Sequence, residues 1–218
     1  MKKITTLSYL AACMALASGS ALANGFKVGD TDITFGGYIK VDALVTDTSD
    51  GQIGTNIGRD FYVPSLTPVG GEGESAVFDF HARQSRFFFK TSTMLENGKT
   101  VGGHIEMDFM ATPVGDERIT NSYAPRLRQA FITYDKWLIG QTWSTFMDLS
   151  ALPDSLDFIG NTDAMPFARQ PLIRYSSNGF QVSLENPETT VTPNGGGARI
   201  TTDDNAVPDV VLKYGQKA

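Results

Sequence analysis

The sequence has one cysteine, two histidines, fewer basic than acidic side chains and, beyond its first two dozen residues, no long apolar run. Each shortage removes a class of function. The single cysteine, Cys13, falls in the N-terminal segment, so the remainder has no disulfide to form. Basic residues number 18 against 24 acidic ones, which argues against nucleic acid, because phosphate binding leaves a basic footprint. After Ala23 nothing approaches the roughly 18 apolar residues of a spanning helix, so any membrane crossing must be made by strands.

The first residues read as an export signal. Lys2 and Lys3 form a positive n-region and Ile4 to Ala17 an apolar h-region, and Ala21-Leu22-Ala23 offers a small-x-small site for cleavage before Asn24. Cutting at Leu10-Ala11-Ala12-Cys13, as in a lipoprotein, would leave an h-region of only about 7 residues. The later site fits better, and Cys13 is expected to leave with residues 1–23. Losing Lys2 and Lys3 leaves 16 basic against 24 acidic residues, a formal charge of −8.

What is present is β-like. In Asp32 to Val45, residues Ile33, Phe35, Ile39, Val41 and Val45 fall on one face, and Thr34, Tyr38, Lys40 and Asp42 on the other. Lys99 to Ala111 repeats the pattern, with Val101, Ile105, Met107 and Phe109 opposite Thr100, His104, Glu106 and Asp108. Alternation with period two predicts strands with one apolar and one wet face. Further strands are expected over Val77–Thr93, Arg126–Tyr134, Trp137–Phe146, Arg169–Ser176, Gly179–Glu185 and Val207–Tyr214. Several reach the 9–11 residues that a tilted strand needs to cross a bilayer.

The connections alternate in length. Short ones lie at Glu96-Asn97-Gly98, Asp135-Lys136 and Ser177-Asn178-Gly179, two of them with Asn-Gly hairpin chemistry. Long ones run over about 46–76, 112–125, 147–168 and 186–206. Short turns on one side and long loops on the other are the asymmetry of an outer-membrane barrel. A secreted β-sandwich that binds ligands through long loops is the alternative, and a non-functional porin fragment another.

From about residue 78 to 214 the sequence resembles the DcaP-like porins. The resemblance is carried in order by Arg83-Gln84-Ser85-Arg86-Phe87, Glu106-Met107-Asp108-Phe109 and Arg126-Leu127-Arg128-Gln129-Ala130-Phe131. Gly140-Gln141-Thr142-Trp143-Ser144-Thr145-Phe146-Met147-Asp148, Leu152-Pro153-Asp154 and Arg169-Gln170-Pro171-Leu172-Ile173-Arg174-Tyr175 continue it. It implies a homotrimeric, sixteen-stranded channel of the Gram-negative outer membrane for dicarboxylate-like anions, with a third loop constricting the lumen. It also places Glu106 and Asp108 in that lumen. Some relatives carry a coiled coil before the barrel, where this chain has only Asn24 to Thr31. This chain ends at Ala218, about half the family's length, which reads as the N-terminal half of a porin: an all-β, antiparallel transmembrane barrel of about eight strands, left incomplete.

Arginine facing lipid at the midplane costs roughly 2–4 kcal/mol, so strand arginines are expected to point inward. Arg126 and Arg128 share a face, as do Arg86 and Lys90, with Arg174 on the sixth strand; together they predict a positive ladder on one wall. Arg83 and Arg169 break parity with Arg86 and Arg174, which points to bulges or to loop positions. The third long loop carries Asp148, Asp154, Asp157 and Asp163, spaced by Leu149, Leu152, Leu156 and Phe158. Folded inward, those carboxylates would stand opposite the arginines and set up a transverse field across the passage.

Two groupings invite a different reading. His104, Glu106 and Asp108 stand two apart on one face, about 6.6 Å between neighbours, too far to share a metal easily. Asp79, His81 and Ser85 alternate on another strand at separations that preclude direct hydrogen bonds. No catalytic residue, metal or cofactor is implied.

Overall fold

The computed structural model describes residues 24–72, 76–112, 114–152, 155–159, 167–187, 190–191, 200–201 and 205–215. The expected leader, residues 1–23, and the loop aspartates Asp154 and Asp163 lie outside them.

In chain order the strands are β1 (Asn24–Val28), β2 (Thr31–Tyr38), β3 (Asp42–Thr46), β4 (Val77–His81), β5 (Arg86–Met94), β6 (Thr100–Asp108), β7 (Gly115–Asp116) and β8 (Ser122–Tyr123). There follow β9 (Arg126–Tyr134), β10 (Trp137–Trp143), β11 (Arg169–Ser177), β12 (Phe180–Glu185), β13 (Thr190–Val191), β14 (Ile200–Thr201) and β15 (Asp209–Tyr214). Nine of them form one antiparallel sheet in the order β1-β2-β5-β6-β9-β10-β11-β12-β15. Neighbours in the sheet follow one another along the chain, joined by turns at one end and excursions at the other. The sheet is open, with β1 and β15 at its edges: an incomplete barrel.

Sequence periodicity finds eight of these nine strands. It misses β1, whose five residues pair with β2 from Asn24↔Phe35 to Val28↔Thr31 around the turn at Gly29-Asp30. It also runs two pairs together. The stretch 32–45 divides into β2 and β3, and the stretch 77–93 into β4 and β5. Tyr38 pairs with Arg86 and Asp42 with His81, so three residues on one strand oppose four on the other. This one-residue irregularity interrupts a ladder that β3 and β4 then prolong. The backbone comes close here: a Cβ on Gly37, at φ 151°, would stand 2.0 Å from the Arg86 carbonyl oxygen.

The turn between β11 and β12 has the chemistry its Asn-Gly sequence predicts. Ser177 pairs with Phe180 across Asn178 and Gly179, whose φ angles are 51° and 84°. Positive φ at both central positions makes a type I′ turn, whose twist matches the flanking strands.

The two faces of the sheet differ in what covers them. One carries cross-strand rows such as Phe35, Phe89 and Ile105, and Ile139, Ile173 and Leu184, all exposed. At its short-turn end Trp137 lies 5.0 Å from Tyr175, and Phe180 lies 4.5 Å from Tyr214, ring centre to ring centre. Aromatics there, beside an apolar band, form the girdle of a membrane barrel. Among the described residues only Phe61, Met110, Met147 and Leu172 are buried apolar side chains. A β-sandwich would pack a second sheet on its apolar face; among the described residues nothing covers that face, and the covering segments lie on the polar one.

Candidate functional site

The site is built on the polar face of β5, β6 and β9. On β6, Glu106 and Asp108 stand two apart and so project to the same side. The adjoining strands place arginine on either side of them: Arg86 on β5, and Arg126 and Arg128 on β9. Arg126 forms a two-pronged pair with Asp108, Nε to Oδ1 at 2.8 Å and Nη2 to Oδ2 at 2.7 Å. Arg128 donates from Nε to Glu106 Oε1 at 2.8 Å and from Nη1 to Asp108 Oδ2 at 2.9 Å. Arg86 stands 3.9 Å from each carboxylate and lies over the Tyr38 ring.

A β-bulge makes this convergence possible. Up to Glu106↔Gln129 the β6–β9 register is regular; beyond it Met107 pairs with Leu127 and Asp108 with Arg126. Arg128 is the extra residue, and a bulge re-aims the side chains beside it. Arg126, Arg128 and Gln129 therefore all reach the polar face, although their numbers differ in parity. Gln129 joins by donating to Glu106 at 3.4 Å and accepting from Thr142 at 2.9 Å.

The third long connection crosses this face. After Trp143 the chain leaves β10 and passes over β11 toward β12 and β15. Two residues of extended chain span about 7 Å and neighbouring strands stand about 4.8 Å apart, so Thr145 is within side-chain reach of β12. Its N–H donates to Glu185 Oε1 at 2.8 Å. Met147 O, two residues on, accepts from Lys213 Nζ of β15 at 3.1 Å. Farther along, the Phe158 ring lies 5.6 and 5.9 Å from the guanidinium carbons of Arg126 and Arg128. The connection thus runs from β15 back to the arginines of β9.

It meets the first long connection above them. The Phe61 and Phe158 rings are 5.5 Å apart, and Tyr62 N–H donates to Asp157 Oδ2 at 2.9 Å. The first connection is clamped in turn. Arg59 binds both oxygens of Asp79, at 2.8 and 2.5 Å, and Asp60 pairs with Arg83. Burial pushes the Asp60 carboxyl up despite the opposing charge of Arg83.

A family model described as DcaP outer membrane protein matches residues 13–198. The chain belongs to the DcaP outer membrane protein family. The crystal structure of the outer membrane channel DcaP of Acinetobacter baumannii is similar, with a TM-score of 0.53 and 28% identity over 78% of this chain and 46% of that one. The chain therefore spans about half the length of that channel. No curated protein matches it. DcaP is a family of outer-membrane channels rather than enzymes, and the bare apolar face is the surface such a channel turns to lipid.

Against this DcaP geometry the residues singled out from sequence divide. Arg86, Glu106, Asp108, Arg126 and Arg128 come together. Lys90 lies on the same face nearer the short turns, its Nζ 4.6 Å from the Phe88 ring centre. Arg174 does not join the cluster: Nε donates to Thr145 Oγ1 at 2.7 Å and Nη2 to Trp143 O at 2.5 Å. The arginines take their carboxylates from the neighbouring strand, where facing residues are already about 5 Å apart, rather than from the described loop aspartates. Asp148 stands 3.8 Å from Lys213 and accepts from Ser150, whose hydrogen bonds hold its carboxyl below the usual range. Asp157 accepts from Tyr62 and Ile159 N–H groups. Ser85 engages the Lys40 backbone, Asp79 the Arg59 guanidinium, and His81 lies between Asp42 and Asp60, so that trio does not converge.

Three residues of the site had no local signal. Glu185 sits at a strand end like many solvated glutamates. Phe158 reads as a spacer between aspartates. Arg169, out of parity with Arg174, lies 4.5 Å over the Trp143 ring, with Nη1 buried and lacking a hydrogen-bond partner among the described residues.

Proposed function

We propose that this chain lines a water-filled pore through which small hydrophilic anions of dicarboxylate type diffuse. One observation carries the reading: among the described residues, Arg86, Arg126 and Arg128 converge on two carboxylates, Glu106 and Asp108, on the face crossed by the third connection. Their surplus positive charge sits in a narrow, low-dielectric passage, where a wall of arginines favours anions. The third connection is the constriction, and Lys90 and Arg174 extend the positive wall below and beside it. The bare apolar rows meet outer-membrane lipid, three copies assemble as a homotrimer, and export proceeds through a leader cleaved after Ala23.

Liposome swelling tests the proposal. Vesicles carrying the protein from outer membranes should swell faster in a dicarboxylate than in an uncharged sugar of equal size. Equal rates would remove the anion preference, and no swelling in either would remove the pore.

A further inference from the structure

We infer that Glu185 is the positioning residue that fixes the constricting connection to the wall, and that it governs how open and how steady the pore is rather than which ion passes. The inference rests on the pore reading above.

Glu185 ends β12 and is 1% exposed. No cation lies within 4.0 Å of its carboxylate among the described residues. Neutral donors surround it instead: Thr145 N–H at 2.8 Å and Ser183 Oγ at 2.6 Å on Oε1, and Gln170 Nε2 at 3.1 Å on Oε2. A buried charge with no cation in direct contact is tolerated only when hydrogen bonds replace its water. One of those bonds comes from the backbone of the connection, so carboxylate and connection need each other. Ser183 and Gln170 belong to the wall and hold the carboxylate aimed at Thr145.

The tether is part of a series. Trp143 O accepts from Arg174 of β11, Thr145 N–H donates to Glu185 of β12, and Met147 O accepts from Lys213 of β15. Alternate residues are thus fastened to three successive strands. Of the three, only the Glu185 tether is fully enclosed, and charge-assisted hydrogen bonds in such a place are the strongest. Leu172, which pairs with Glu185 across the ladder, is buried beside it. Glu185 is absent from the ion pairs of the arginine cluster, so its loss leaves those pairs intact and removes none of their positive charge.

The test uses the channel purified from outer membranes and read in planar bilayers. Glu185→Ala should raise single-channel conductance and open-channel noise without weakening the anion preference read from the reversal potential in a salt gradient. Glu185→Gln keeps an acceptor for Thr145 N–H and should restore most of the steadiness. Ser183→Ala, which retains the carboxylate, should give intermediate noise and covers the case in which Glu185→Ala fails to fold. Wild-type conductance and noise in folded Glu185→Ala, or in Ser183→Ala if the former does not fold, would overturn the inference. So would a loss of anion preference as large as that of Arg128→Ala. A wild-type protein that inserts but carries no current would instead overturn the pore reading itself.

Discussion

Arg128 Nη1 donates to Asp108 Oδ2 at 2.9 Å, although the ladder sets Asp108 opposite Arg126. The bulge at Arg128 lets one carboxylate serve two guanidiniums, while Glu106 serves Arg128 and Gln129. Positive charge is thereby concentrated where the strand would otherwise send alternate side chains into lipid.

Removing Arg128 should weaken the anion preference. Arg128→Ala takes one positive charge from the cluster and frees Glu106, so the reversal potential in a salt gradient should move toward the cation side. Arg174→Ala should move it far less, because Arg174 spends its donors on Thr145 and Trp143. Equal shifts in the two variants would contradict this division of roles.

Asp108 is the costlier residue to lose. It is fully buried and accepts from both Arg126 and Arg128. Breaking a buried ion pair from one side costs about 3–5 kcal/mol, since the partner charge is left uncompensated. Asp108→Ala should therefore lower the denaturant midpoint of the folded barrel well below that of Arg128→Lys. An unchanged midpoint would place the pair in solvent.

The outer face should reject charge. Ile173 lies mid-strand, between Ile139 and Leu184. Ile173→Arg should destabilise the membrane-inserted state by roughly 2–4 kcal/mol, the cost of arginine at a lipid-facing midplane position. Equilibrium unfolding from lipid vesicles measures it, and a neutral result would mean this face is not against lipid.

Gly140 tests the packing of β9 against β10. At φ 132°, a Cβ there would stand 2.3 Å from the Ala130 carbonyl oxygen and 2.7 Å from the Phe131 Cα. Gly140→Ala combines this clash with strained backbone worth about 1–3 kcal/mol. Slower folding into detergent micelles and a lower melting temperature are expected; wild-type values would mean the strands can part at no cost.

Much of the fold was legible because alternation survives wherever one face meets lipid and the other water. Ile33 and Phe35, or Val101 and Ile105, announce their strands without help. Interruptions are not legible that way: Ile39 and Val41 keep the alternation going straight through the break between β2 and β3. The bulge at Arg128 is hidden for a related reason, since parity counts residues and cannot see one inserted. The arginines themselves could be named, because lipid forbids them the outer face. Their partners could not, because strand neighbours Glu106 and Asp108 and loop aspartates look alike before register is known. Glu185 carries no local mark, since only the path of the third connection buries it.

The central claim is that the arginine surplus makes the pore prefer anions. The most direct measurement is the zero-current potential of the wild-type channel across a potassium chloride gradient in a planar bilayer. The account predicts the sign for chloride permeating faster than potassium, with the preference reduced in Arg128→Ala. A potential of cation-selective sign, or one that Arg128→Ala leaves in place, would contradict it.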